Sequence, residues 1–381
     1  DGFGIGHSAP RLSWRFSGEA RDWKQVAAEI KILLNPGSSS ESLETFRIET
    51  SDSVLVPWPV RPLKSRDIAE VTVRAIGESL STDWSAPTTV EAALLDRGDW
   101  KAELIERDIP QPVDATKRPV IFQKGFVVES VEKSRLYITA HGIYEAKING
   151  KRVGDHLLAP GWTSYNHRLN YQTHDVQSLL VKGDNTITVE VGEGWYAGRL
   201  GFMGGVRSIY GEQVGLLAQL EVDGSVIVKT DSTWSCGTGP ILESEIYDGE
   251  VVDHREELKI SNSVVTKDLE QDVILAAPEN PPVRCTEEIS PVSISKSPSG
   301  KVIVDFGQNL VGWVRVNFKS FGPDFAGKTI RLSHVEVLEN EECGSRPLRL
   351  AKAQDSITLS EQLSEAFWEP KFTFHGFRYV Q

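Results

Sequence analysis

Short stretches in which apolar and polar residues alternate, each closed by a turn residue, recur along nearly the whole of this 381-residue chain. They include VAAEIKILL, AEVTVRAIG, SRLYITAHG, NTITVEVG, LLAQLEVDG, KVIVDFG, GWVRVNFKS and TIRLSHVEV. A period of two sends successive side chains to opposite faces, so one face of each segment can be buried and the other wetted. Such segments, rich in β-branched residues and bounded by Gly, Asn, Asp and Ser, are the pattern of antiparallel sandwiches and barrels. Helical periodicity is nearly absent, and its best candidate, DVQSLLVKG, is short. The pattern therefore predicts an all-β chain.

That length exceeds one ordinary domain, and two breaks divide the chain into three consecutive β-sandwich modules. The first break follows DWSAPTTVEAALLDRGDW, and the second is the proline-rich AAPENPPVRC. The boundaries fall at 1–97, 98–280 and 281–381. RLSWRF and TDWSAP look like edge strands of an immunoglobulin or fibronectin type III sandwich, with Trp14 and Trp84 as core candidates. In the middle module, Asn149-Gly150 between two alternating runs predicts a tight hairpin.

Composition narrows the partners. Lys and Arg number 41 against 54 Asp and Glu, a net charge of −13. An acidic surface disfavours nucleic acid and anionic membrane, which both select basic faces, and it suits neutral ligands such as sugars. No apolar run approaches the roughly 20 residues of a membrane span, and the N-terminus lacks a signal-like core. The three cysteines, Cys236, Cys285 and Cys343, are sparse, odd in number and without a CxxC pair. They form no disulfide framework and lean toward a reducing, intracellular setting.

Catalytic chemistry is thinly represented. Asp305-Phe306-Gly307 spells the magnesium-binding triplet of protein kinases, but the chain has no lysine strand, catalytic loop or helical lobe to go with it. Asp305 falls between two alternating segments, which predicts a strand connection where Gly307 and Gly312 ease the backbone, Trp313 packs, and Asp305 and Gln308 bond local amides. The eight histidines make no HExxH or HxH pair, no serine or cysteine sits in a nucleophile motif, and no two carboxylates are marked as an acid–base pair. The sequence nominates no catalytic residue and no metal ligand.

The middle module does nominate a binding face. A loop dense in Trp162, Tyr165, Asn166, His167 and Arg168 follows the hairpin. GEGWYAGRLGFMGGVRSIYG then places Trp195, Tyr196, Phe202 and Tyr210 among seven glycines. Aromatic rings stack on the C–H faces of sugars while Asn, Asp and Arg bond the hydroxyls, and glycines admit a ligand close to backbone amides. The bland alternative is that these rings fill the ends of the sandwich.

RLYITAHGIYEAKINGKRVGDHLLAPGWTSYNHRLNYQTHDV, with GEGWYAG and SEIYDGEVVDHR after it, resembles the N-terminal jelly roll of bacterial and fungal α-L-rhamnosidases, glycoside hydrolase family 78. VIVDFGQNLVGWVRV, LSHVEVL and FTFHGFRYVQ resemble the concanavalin-like domain that follows it, and PRLSWRF through STDWS fits the fibronectin-like domain that precedes both. The resemblance implies a fibronectin III/Ig-like sandwich, a galactose-binding-like jelly roll and a concanavalin-like sandwich, the last incomplete at its C-terminus. It implies that catalysis, with inversion, belongs to an (α/α)6 barrel downstream of these modules, so that the chain alone is inactive. It further implies a rhamnose-containing carbohydrate and that barrel as partners. No cofactor is required, and calcium is the one cation implied, near a rhamnose site on the jelly roll. The matching candidates are Asp155, Trp162, Tyr165, Asn166 and Arg168, with Trp195 and Tyr196.

Overall fold

The computed structural model describes residues 2–18, 22–270, 272–321, 323–361 and 366–381. Strands dominate, and the α-helix among the described residues is a single turn, Gly194–Ala197. The segment expected to be the best helix yields a 3-10 turn, Gln177–Leu179. The chain is all-β and separates into two compact units.

The first unit holds residues 1–101 with 172–174 and 275–281. Its sheet runs Gly2–Ile5, Thr88–Ala92, Ile68–Gly77, Gln25–Leu34 and Ser42–Ile48. The first pair is parallel and the others antiparallel. Alternation works as expected, since Ile30, Ile32 and Leu34 point to one face and are buried with Val71 and Val90. Val56, Trp58 and Leu63 close that face from an irregular segment bridged to Leu12. Trp14 packs on this core and donates to Gln25 Oε1 at 3.0 Å. Trp84 does not join the core. It lies on the sheet surface under Lys31 and Arg74, 4.4 and 4.9 Å from its ring centre. A ring on the polar side of the alternation is better served by two cations than by burial.

The second unit holds residues 102–171, 175–274 and 282–381. Its jelly-roll part runs along one path of paired strands: Lys151–Arg152, Ile143–Ile148, Gly183–Gly192, Val120–Val128, Ser235–Thr238, Lys259–Lys267, Leu104–Arg107, Gly215–Val222 and Arg135–His141. Side chains from both ends of this path, among them Phe122, Ile148, Val189, Ile138 and Leu216, fill one core. The path therefore curls on itself, and each buried face finds a partner. The Asn149-Gly150 hairpin forms, with φ of +52° and +76° at the turn and Ile148 opposite Lys151.

A second, seven-stranded sheet follows the order Ile241–Glu245, Gly249–Asp253, Gln354–Thr358, Thr329–Val335, His375–Val380, Val302–Gly312, Ser293–Lys296. This sheet draws its first two strands from the middle of the sequence and the rest from its end. A third core joins Ile143 and Leu158 of the jelly roll to Ile241, Ile357, Trp368 and Phe372.

The Asp305 stretch is not a connection between strands. Val302–Gly312 is one eleven-residue strand whose register against His375–Val380 slips between Asp305 and Leu310. Gly307, at φ +79°, supplies the kink. Gly312 is not in the left-handed region, and Trp313 is only half-buried.

Candidate functional site

The middle-module candidates separate by exposure. Asp155, Trp162, Asn166 and Arg168 are exposed, Trp195 and Tyr196 are half-buried, and Tyr165 is buried. Tyr165 donates from its hydroxyl to Gly161 O at 3.1 Å. Its ring meets Tyr196 edge-on at 5.2 Å and Tyr210 at 5.0 Å. Tyr196 in turn stacks on His141 at 4.2 Å. Burial lowers the His141 pKa to about 4 and, with Glu106 and Glu270 adding to it, raises that of Tyr196 to about 12. These rings are therefore uncharged at neutral pH, and their contacts fasten the loop to the jelly-roll core.

One of the neighbouring glycines serves the same packing. A Cβ on Gly211 would lie 2.1 Å from the Tyr196 hydroxyl, so glycine there makes room for a tyrosine.

The other pair points outward. Trp162 and Trp195 are parallel within 4°, with centres 6.2 Å apart. Trp195 packs on the core formed by Ile143, Leu158, Ile241 and Phe372, while Trp162 is 55% exposed. The half-buried indole holds the exposed one, which presents an aromatic platform of the kind that sugars use. Asp155 makes a 2.6 Å ion pair with Arg284, and Arg284 also reaches His156 Nε2 at 3.2 Å. That pair, led by the Arg284 hydrogen bond, holds the Asp155 carboxyl below its usual pKa. Arg168 donates to Thr163 Oγ1 at 3.2 Å. Asp155 and Arg168 thus already have protein partners.

Local spacing gave no sign of the buried charged groups of this unit. Glu193 is fully buried, receives Arg207 Nη1 at 2.9 Å on one oxygen and the Lys117 amide at 3.0 Å on the other. Burial outweighs the arginine and raises its pKa to about 7. Lys371 bonds Glu190 at 2.7 Å and lies 3.6 Å from Glu145, tying the seven-stranded sheet's segment to two jelly-roll strands. The partners lie 181 and 226 residues from the lysine, farther than any motif spans, so only folding brings them together. In the first unit, a concavity of about 620 Å³ is lined by Ser65, Arg66 and Asp99 among others. Its polar lining is largely self-satisfied, since Asp99 accepts from both Ser65 and Arg66.

Comparison with known proteins gives three matches in chain order. Residues 1–96 match the model of a Rha78A-like N-terminal immunoglobulin domain. Residues 129–289 match the α-L-rhamnosidase N-terminal domain, and 295–381 the bacterial α-L-rhamnosidase concanavalin-like domain. The crystal structure of native α-L-rhamnosidase from Aspergillus terreus is 48% identical with a TM-score of 0.92, over all of this chain and 45% of that one. The Streptomyces avermitilis α-L-rhamnosidase structure complexed with L-rhamnose is 25% identical with a TM-score of 0.87, over 99% of this chain and 54% of that one. A curated α-L-rhamnosidase of Streptomyces avermitilis is 40% identical over 268 residues, 66% of this chain and 25% of its own length. The chain thus spans about a quarter to just over half of these relatives.

Proposed function

Because this chain belongs to the α-L-rhamnosidase family, glycoside hydrolase family 78, through its N-terminal β domains, we propose that it is the non-catalytic β portion of an enzyme that removes terminal α-L-rhamnose from glycosides or polysaccharides. In this reading a downstream (α/α)6 barrel carries the acid and base and inverts the anomeric centre. The β domains pack against it and border its active site. The observation that carries the reading is the end-to-end likeness to the Aspergillus terreus enzyme, of which this chain covers less than half.

An apolar face supports the packing role. Val292, Ile294, Val302 and Val311, on or next to the last two strands of the seven-stranded sheet, are 67%, 67%, 51% and 75% exposed. A row of valines and isoleucine in water is a surface that another domain covers. Assay of the 381-residue chain on an aryl α-L-rhamnoside tests the reading, with no turnover expected. Robust turnover would overturn it.

A second reading, a sugar-binding module, rests on Trp162 standing exposed on Trp195. Calorimetric titration with L-rhamnose, with and without calcium, is expected to give heat that Trp162→Ala abolishes. A silent wild-type chain removes the binding role and leaves the structural one standing.

A further inference from the structure

Three strands of the seven-stranded sheet each direct a metal-ligating side chain to one interior point. His334 comes from Thr329–Val335, Asp355 from Gln354–Thr358 and His375 from His375–Val380. All three are buried, at 0%, 0% and 4% exposure, and their ligand atoms lie within 4.8 Å of one another. One oxygen of Asp355 accepts the Glu250 amide at 2.9 Å, which anchors the carboxylate. The other stands 3.2 Å from His375 Nε2 and 3.9 Å from His334 Nε2. The two imidazoles stack at 4.1 Å and 20°.

The protons on His334 decide what the cluster lacks. Its Nδ1 is 3.0 Å from the Ala353 carbonyl. A carbonyl only accepts, so Nδ1 carries the hydrogen. With the hydrogen on Nδ1, the neutral ring leaves Nε2 with its lone pair. That nitrogen is buried without a hydrogen-bond partner and faces a carboxylate oxygen. A buried acceptor with no donor is costly. A cation bound to it and to the carboxylate removes that cost.

We propose that His334 Nε2, His375 Nε2 and the Asp355 carboxylate form a binding site for a divalent transition-metal ion of the zinc class, which staples these three strands. Two imidazoles and one carboxylate suit zinc or cobalt, whereas calcium and magnesium select all-oxygen sets. Ligands at zinc bond lengths of about 2.0–2.1 Å in a tetrahedron sit about 3.3 Å apart, close to the 3.2 and 3.9 Å separations here. The Ala353 carbonyl on Nδ1 is the kind of outer partner that orients a metal-bound histidine. When Nε2 of His375 holds the metal, the ring carries its hydrogen on Nδ1, so the contact with Asp355 passes from a hydrogen bond to shared coordination of the ion. With all three ligands interior, the ion is structural, and the site is independent of any carbohydrate role.

The test uses the 381-residue chain stripped with a chelator and dialysed. Titration with Co2+ is expected to give one equivalent per chain with ligand-field absorption bands, displaced by Zn2+ and untouched by Ca2+. Zn2+ is expected to raise the melting temperature. His334→Gln and Asp355→Asn are each expected to lose the bands while keeping the wild-type far-UV circular dichroism. A wild-type chain that takes up no stoichiometric Co2+ overturns the proposal, whether or not either variant folds. Bands that persist in a folded His334→Gln place the ion elsewhere, on exposed groups such as His7, His167 or Cys285, and overturn it equally, as does displacement by Ca2+.

Discussion

Gly307 shows how one residue fixes the behaviour of its strand. At φ +79° it occupies a region that costs an L-side chain roughly 1–2 kcal/mol, and a Cβ there would meet a Val292 methyl at 3.0 Å. Gly307→Ala is expected to lower stability by about that amount or more in thermal melts, and an unchanged melting temperature would remove the strain argument. Asp305 beside it binds Arg378 through both oxygens at 2.9 and 3.0 Å and accepts the Gly307 amide at 2.7 Å. The Arg378 hydrogen bond leads in holding its carboxyl below the usual range. Asp305 fastens a kinked strand, and Asp305→Ala is expected to lower the melting temperature. The tryptophan pair makes a sharper contrast. Trp195→Ala opens a core and is expected to cost near the low end of the roughly 3–5 kcal/mol seen for buried aromatics. Trp162→Ala, at an exposed ring, is expected to leave the melt within about 0.5 kcal/mol of wild type. Equal losses from the two would mean that Trp162 is a packing residue and not a platform.

At the scale of elements, the Asn149-Gly150 hairpin was legible in advance, because only a few residue types tolerate two successive positive φ angles. The structure adds a second role for Asn149. Its side chain donates to Leu179 O and Asn185 Oδ1 and accepts the Thr186 amide at 3.0 Å, so the turn is tied to the neighbouring strand. Asn149→Gly keeps the turn geometry and loses these bonds. It is expected to cost about 1–3 kcal/mol and to speed hydrogen exchange at the Thr186 amide; unchanged exchange there would show that the side chain is dispensable. The long Asp305 strand reads as two in the sequence because a glycine inside an alternating run signals a bulge and a turn alike. Trp84 lies on the surface for a related reason: alternation says which residues share a face, and the rest of the fold says which face is wet.

For the whole molecule, buried charge connects segments that the sequence keeps apart. Lys371 reaches Glu190, which is buried, and Glu145 beside it. Lys371→Met leaves Glu190 without its cation and is expected to destabilise by roughly 3 kcal/mol, the lower end for a broken buried pair; a neutral outcome would show that the pair adds nothing to the join. Glu193 sets a pH dependence. Burial raises its pKa from 4.5 to about 7, so the folded chain binds more protons than the unfolded one between those values. Its contribution to stability is full below about pH 4.5 and declines as pH rises to about 7. Glu193→Gln is expected to remove that decline, so that the difference in melting temperature between wild type and variant changes from pH 4.5 to 7. A pH-independent difference would refute the assignment.

The sequence alone determined the all-β class, the three-part resemblance and the loop that holds the aromatic candidates, because alternation, turn chemistry and contiguous motifs are local in the chain. It could not say that Tyr165 is interior while Trp162 is exposed, since both are aromatic residues three apart in one loop. Nor could it assemble His334, Asp355 and His375, which stand 21 and 20 residues apart on strands whose pairing is long-range. Metal-like clusters, buried ion pairs and the faces of a sheet depend on which strand lies beside which. Strand order is set by the joint burial of many side chains, and that is decided only when the whole chain folds.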